Sequence, residues 1–309
     1  MSTMIQSPGI YQMHAEKYHA DPTPTGSLSS SGAHTLAFEC PAAFEWQRQN
    51  RVNKRVFDIG TASHLMVLEP DLFDSKVAVV RGLTKDGKPS DGYQSQDAKD
   101  QRDAAYAAGL TPLLPKEVEL LRAMRAALWS DPIGSKAFKA GQAEQSIFWQ
   151  DSELGNWCRT RPDWMPDHGG YVINWKTAES ANPDDVAKAI FNLGYFQKSA
   201  WELDGIEAVT GARPAKYCLL VQSKRPPHLV VPVWLHADDL AWGAKLNRYA
   251  RGLFAWCQRT GEWPGYSQQP GQAPRGFDDL RMPGWAHKLL EARDERGDFV
   301  VPQMMEITA

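Results

Sequence analysis

The stretch RPDWMPDHGGYVINWKT, Arg161–Thr177, decides how this chain is read. PDHGG at 166–170 is a turn signal between two runs of strand-forming residues, so the sequence predicts an antiparallel hairpin. That hairpin sets Asp163 nearly opposite Ile173 and Asn174, with the register open by a residue. On the returning strand Asn174 and Lys176 are two apart, so both point to the same face. An oxygen donor from each strand with an amine beside them is a workable Mg2+ site for phosphodiester cleavage. Oxygen ligands suit the hard cation, the metal activates water, and the lysine orients the nucleophile or offsets phosphate charge. The spacing alone is common; following RPDW across a tight hairpin it is more specific.

Outward from the hairpin, QSIFWQD and GNWCRTRPDW read as preceding strands. Asn182-Pro183-Asp184-Asp185 opens a helix to about Leu203, with Asn as cap, Pro at the first position and acids at the positive dipole end. KYCLLVQ and HLVVPVWL supply two further strands, and a long helix spans Ala237–Thr260. On the N-terminal side, Ser30 or Ser31 caps a helix from about Ala33 to Phe38. A helical run then carries Arg48, Arg51 and Arg55 on one face, either a solvated surface or a rail for phosphates. Gly60–Phe73 reads as a helix ending near Pro70, Lys85–Gln101 as a polar loop or lid, and Pro115–Trp129 as an amphipathic helix. The order implies an α/β fold, a mixed sheet flanked by helices, with a helical N-terminal elaboration. We expect one domain over 1–266, helical to about 140 with its core over about 141–266, then a linker and tail over 267–309.

The chain has 309 residues, 42% of them hydrophobic, enough for a substantial core. Its net charge of −3 excludes a global positive field, so a polyanion would be held by local basic groups and metal. Four scattered cysteines without a CxxC pair argue against a zinc ribbon. His14, Glu16 and Lys17 interrupt the place where a leader would be apolar, and no stretch is long enough to span a bilayer. The expectation is a reducing, cytoplasmic setting without membrane attachment. Twelve tryptophans are many for this length, and packing is the simpler reading for each.

RPDW followed by VINWKT resembles the PD-(D/E)xK nucleases, and more narrowly the RecE-like exonucleases (exonuclease VIII type, relatives of phage lambda exonuclease). GIYQMHAEKYHA, SLSSSGAHTLAFECPAAFEW, GTASHLMVLEP, AEQSIFWQDSELGNWCRTRPDW and GEWPGY extend the likeness over roughly Gly9 to Tyr266. The resemblance implies a restriction-endonuclease-like core and a Mg2+-dependent exonuclease, with two metals expected and Mn2+ able to substitute. It places His64, Glu144, Asp163 and position 174 at the metal, and Lys176 as the motif lysine. Gln197 falls where relatives carry a Q-x-x-x-Y helix motif, with Trp201 in place of the tyrosine. Duller readings stand beside these: His64 as a core or surface histidine, Glu144 as a solvent-facing residue of the strand before the hairpin, Gln197 as an ordinary helix glutamine and Lys176 as surface charge. Arg48, Arg51, Arg55 and Arg161 are the candidate DNA contacts. The resemblance further implies 5′-to-3′ digestion of double-stranded DNA ends and a toroidal homo-oligomer, trimer or tetramer. It also implies a single-strand annealing partner of the RecT type in phage or prophage recombination.

Asn174 departs from the pattern, which wants Asp or Glu there. Asn offers one neutral carbonyl oxygen where Asp offers charge, and its amide repels a cation if flipped inward. The expectation is weakened metal binding and catalysis with the fold intact. Two explanations stay open, an introduced inactivating change or drift toward a protein that binds DNA ends without cutting.

Overall fold

The computed structural model describes residues 4–50, 55–268, 270–273, 275–277 and 280–299, with the side chains of 55–57 outside that description. The strands, in chain order, are β1 (Gly9–Tyr11), β2 (Ser27–Ser29), β3 (Val77–Val79), β4 (Thr111–Leu113), β5 (Gly141–Ala143), β6 (Ser146–Gln150), β7 (Trp157–Thr160), β8 (Trp164–Pro166), β9 (Tyr171–Ala178), β10 (Lys216–Ser223) and β11 (Val230–Trp234). The helices are α1 (Ala15–His19), α2 (Ser30–Phe38), α3 (Pro41–Gln49), α4 (Arg55–Leu68), α5 (Pro70–Lys76), α6 (Gln96–Ala107), α7 (Pro115–Ser130), α8 (Gly134–Ala137), α9 (Pro183–Asn192), α10 (Tyr195–Thr210), α11 (Ala237–Thr260) and α12 (Gly284–Glu295). Residues up to Gly265 form one compact unit; Tyr266 onward, which includes α12, forms a second.

The central sheet runs β11-β10-β9-β8-β5. Only β9 and β10 are parallel, and α9 and α10 make the crossover between them. The other neighbours are antiparallel, so the sheet is mixed, as the sequence predicts. Pro232 sits in β11, an edge strand, where a missing N–H costs no ladder bond. The strands alternate strictly. Val172, Tyr217, Leu219 and Val221 face a core with Trp201, Leu253 and Phe254 from α10 and α11. Ile173, Trp175, Cys218 and Leu220 face the opposite side, against Val67 and Leu68 of α4 and Leu128 of α7. Asn174 and Lys176 therefore lie on the α10 side of the sheet.

Several expected boundaries move. The preceding strands do not join the hairpin's sheet. β6 and β7 belong to a separate sheet ordered β1-β6-β7-β2, and the chain changes sheets at Arg161-Pro162-Asp163. Ser29, not Ser30 or Ser31, caps α2, its hydroxyl accepting from the Gly32 N–H. Asn50 closes α3 and Arg55 opens α4, so Arg48 and Arg55 do not share one helical face. Arg51 lies outside the described residues, as does the Arg55 side chain. The helix read over Gly60–Phe73 is two: Pro70 is the first residue of α5, where its fixed φ starts a helix rather than only ending one. Of the loop at Lys85–Gln101, the last part is helix, capped by Ser95. The helix from Asn182 breaks at Gly194, whose φ is 65°. A Cβ there would run into the His34 ring, which is why glycine stands at the break.

Among the described residues no helix is long and apolar enough to cross a membrane. All four cysteines are buried and unpaired. Trp149, Trp157, Trp164, Trp175 and Trp201 are buried, so for these the packing reading holds.

Candidate metal centre

The site forms where β8 gives way. β8 and β9 share one pair, Trp164↔Ile173, and the chain then leaves for the other sheet while β9 runs on to Ala178. That register places Asp163 across from Asn174. β10 lies on one side of Trp175, and on the other, where β8 no longer pairs, its backbone groups meet side chains. Its N–H donates to Asp163 Oδ2 at 2.7 Å, and its carbonyl lies 3.1 Å from His64 Nε2. The sheet edge is thus capped by two candidate ligands instead of a neighbouring ladder.

His64 comes from α4, its ring stacked on Trp175 with centroids 5.6 Å apart. Its Nδ1 lies 3.2 Å from Glu144 Oε1, and its Nε2 is 3.7 Å from Asp163 Oδ2. Burial pulls the imidazole's pKa down, but the Asp163 and Glu144 carboxylates outweigh it and the net shift is upward. Both ring nitrogens face acceptors, which fits a protonated ring without a cation present. His64, Glu144 and Asp163 each bring one donor atom to within 4.8 Å of the others, a group able to hold a metal ion. Lys176 Nζ stands 3.8 Å from Asp163 Oδ2 and 5.9 Å from the centre of the Tyr195 ring. Burial, the largest influence, lowers the lysine's pKa, but Asp163, Tyr195, Glu202 and Glu144 together outweigh it and the amine is held protonated more firmly than usual.

Glu144 is not on a strand, as the sequence reading has it, but in the break between β5 and β6 with φ at 50°. A non-glycine residue in that region is strained by about 1 kcal/mol or more. The position is fixed from several sides: its N–H donates to the Asp163 carbonyl at 3.1 Å, and Arg161 Nε donates to its Oε2 at 2.6 Å. Burial raises the Glu144 pKa, but His64 and Arg161 bring it below the ordinary value.

Arg161, expected among the DNA contacts, is committed to partners within the protein. Its side chain is 7% exposed, and Nη1 donates to the Met13 carbonyl and Ser146 Oγ. The guanidinium neutralises Glu144 from within. Arg48 is exposed but is paired with Glu45 at 2.7 Å. Gln197 is fully buried and turned elsewhere, its Oε1 2.8 Å from His34 Nδ1. Among the described residues no hydrogen bond joins it to the triad. Trp201 is also fully buried, its indole N–H on the Arg159 carbonyl at 2.9 Å.

A family model described as a PDDEXK-like domain of unknown function (DUF3799) matches residues 29–271. The chain belongs to that family. This PDDEXK-like domain also shares its fold with a crystal structure of a "Putative exonuclease" from Eubacterium rectale. The TM-score is 0.61 at 12% identity, over 90% of this chain and 98% of that one. No curated protein matches the sequence.

Asp163 and Lys176, the acid and lysine of the sequence reading, stand side by side. Asn174 is in place on the strand but its amide turns to a residue the sequence reading missed. Asn174 Nδ2 donates to Glu202 Oε1 at 3.3 Å, and Tyr217 Oη donates to Glu202 Oε2 at 2.6 Å. Glu202 is 6% exposed, between Trp201 and Leu203 on α10. Burial, then the Asp163 charge, pushes its carboxyl up to about 7. The available signal was slight: α10 also carries Asp204 and Glu207, and Glu202 differs from them in standing directly between the large apolar Trp201 and Leu203.

The donors fit a divalent cation. One imidazole, two carboxylates and the Trp175 carbonyl converge, and Asn174 Oδ1 is buried without a hydrogen-bond partner. An orphaned buried carbonyl oxygen beside a carboxylate cluster is what a ligated cation or its water would satisfy.

Proposed function

We propose that this PDDEXK-like domain is a Mg2+-dependent nuclease, with Mn2+ able to substitute, that degrades linear double-stranded DNA from its ends. The observation that carries the reading is the placement of Asp163 Oδ2, 3.7 Å from His64 Nε2 on one side and 3.8 Å from Lys176 Nζ on the other. An acid, a ligand histidine and an ammonium converge where a phosphate and an attacking water would meet.

His64, Asp163 and Glu144 would hold the cation, with the oxygen of Asn174 and the Trp175 carbonyl as neutral donors. A bound divalent metal supplies a polarised phosphoryl oxygen and a more acidic water. Lys176, kept charged by Asp163, orients the water for in-line attack and offsets charge as it builds on the phosphate. Arg161 keeps Glu144 anionic and His64 keeps it aimed. A 5′-to-3′ polarity, a toroidal trimer or tetramer, and a single-strand annealing partner of the RecT type belong to the same reading. Its support is the ordered set of motifs from Gly9 to Tyr266.

The test is digestion of linear and closed circular duplex DNA with Mg2+ or Mn2+, alongside Lys176→Ala. Loss of linear DNA alone, abolished by Lys176→Ala, is expected. Cutting of circles at an equal rate would reject end-dependence. Asn174 favours a second reading, a protein that binds ends without cutting. Retention of DNA without cleavage, in both this chain and Asn174→Asp, would establish it.

A further inference from the structure

The motif's second acid is missing from β9, yet a buried carboxylate stands against the residue that replaces it. Asn174 and Lys176 alternate onto the α10 face of the sheet, and Glu202 meets Asn174 there from the helix. Tyr217, on the adjoining parallel strand, holds the other carboxylate oxygen at 2.6 Å. Among the described residues no Lys, Arg or His lies within ion-pair distance of Glu202. It is a buried acid whose protein partners are an amide and a phenol, both donors.

Those two bonds decide how Asn174 points. Ionised, Glu202 only accepts, so the Asn174 NH2 then faces Glu202 and the amide oxygen faces away. That oxygen, Oδ1, is the buried atom without a partner. Were Glu202 an amide, Asn174 could turn over and spend its oxygen on the helix. Resting on the divalent-metal reading above, we propose that Glu202 and Asn174 together replace the motif carboxylate. Glu202 supplies the missing negative charge and locks the Asn174 amide with its oxygen toward the metal. Glu202 is a positioning residue: it acts through Asn174 and through its field, beside Asp163 and Lys176. It touches Asn174, which shares its face of β9 with Lys176 and lies across from Asp163.

On this view Asn174 is not a defect in an otherwise intact site. The acid has been moved from strand to helix. A purely structural Glu202, tying α10 to β9 and β10, would leave metal binding indifferent to its charge.

The experiment is calorimetric titration of Mn2+ into the full chain, into Glu202→Gln, and into Asn174→Asp/Glu202→Gln. Thermal unfolding with and without Mn2+ serves as a second readout. Glu202→Gln should weaken Mn2+ by about tenfold or more, the usual effect of removing a residue that orients a ligand. The double variant puts one carboxylate back on the strand and should return affinity to within about threefold of the starting chain. An unchanged dissociation constant in a folded Glu202→Gln overturns the proposal, as does a double variant no better than the single. If the single variant fails to fold, the double decides alone, since it must bind Mn2+ as the starting chain does. A starting chain that takes up no Mn2+ would sink the metal reading itself, a result distinct from either of these.

Discussion

Removing the charge from Glu202 should stabilise the metal-free protein, and the size of the effect follows from its surroundings. The carboxyl titrates near 7 instead of its ordinary 4.5, because burial and the nearby Asp163 charge disfavour the ionised form more than Tyr217, Lys176 and Asn174 favour it. At about 1.4 kcal/mol per pH unit, the charged group costs the native state about 3 kcal/mol. The sign is fixed by proton counting. Between pH 4.5 and 7 the native chain keeps the proton that the unfolded chain has lost, so stability falls as pH rises through that window and levels off above it. Glu202→Gln has the same shape and no charge, so this slope should vanish from it. Urea denaturation in EDTA, run on both chains from pH 4.5 to 8.5, isolates the difference, because every other titrating group is shared. We expect the variant to gain about 2–3 kcal/mol on the parent between the two ends of the range. Parallel stability curves would refute the reasoning, since they would mean that Glu202 does not resist ionisation where it sits. Greater metal-free stability together with weaker Mn2+ binding is the opposite-signed pair that a functional acid shows and a structural one does not.

The other predictions concern the frame around the site. Arg161→Ala leaves Glu144 buried without its guanidinium, and the loss should be about 3–5 kcal/mol in chemical denaturation; Arg161→Lys should not restore it, as the fork is gone. Gly243→Ala puts a Cβ 2.5 Å from the Phe196 carbonyl and 2.9 Å from Gln197 Cα, so α10 and α11 must separate, lowering stability by about 1–3 kcal/mol. Arg48→Ala breaks only an exposed pair, and should change stability by less than about 1 kcal/mol. Gel shift on linear duplex then shows whether Arg48 meets DNA: weaker binding assigns it that role, and equal binding makes it a solvated surface residue.

The hairpin was legible because its signals are local: a turn tetrad, alternation on β9 and an acid before Trp164. The Asn182 cap and the Ala237–Thr260 helix were legible for the same reason. The failures all lie where local pattern meets tertiary choice. GNWCRTRPDW looks like one strand, yet Trp157–Thr160 and Trp164–Pro166 pair in different sheets. Nothing periodic marks Arg161-Pro162-Asp163 as the crossing. An arginine beside a motif acid reads as a phosphate ligand until burial shows it serving Glu144. Glu144 itself reads as a strand residue because a positive φ leaves no trace in a glutamate's neighbours.

Asn174 shows why a motif position cannot be judged by its own residue. Charge at a site is a sum over space, and the residue that restores it here is 28 positions away on another element. The edge of β9 makes that substitution workable. β8 meets β9 at one pair only, so the backbone of Trp175 reaches both Asp163 and His64, which tie down that edge of the strand. The α10 side is then free to change, provided that some acid there still faces position 174. A strand carboxylate would have to carry the charge and also take its place in the ladder and the helix interface. Dividing the work, with the oxygen on β9 and the charge on α10, puts the buried acid where Tyr217 can hold it.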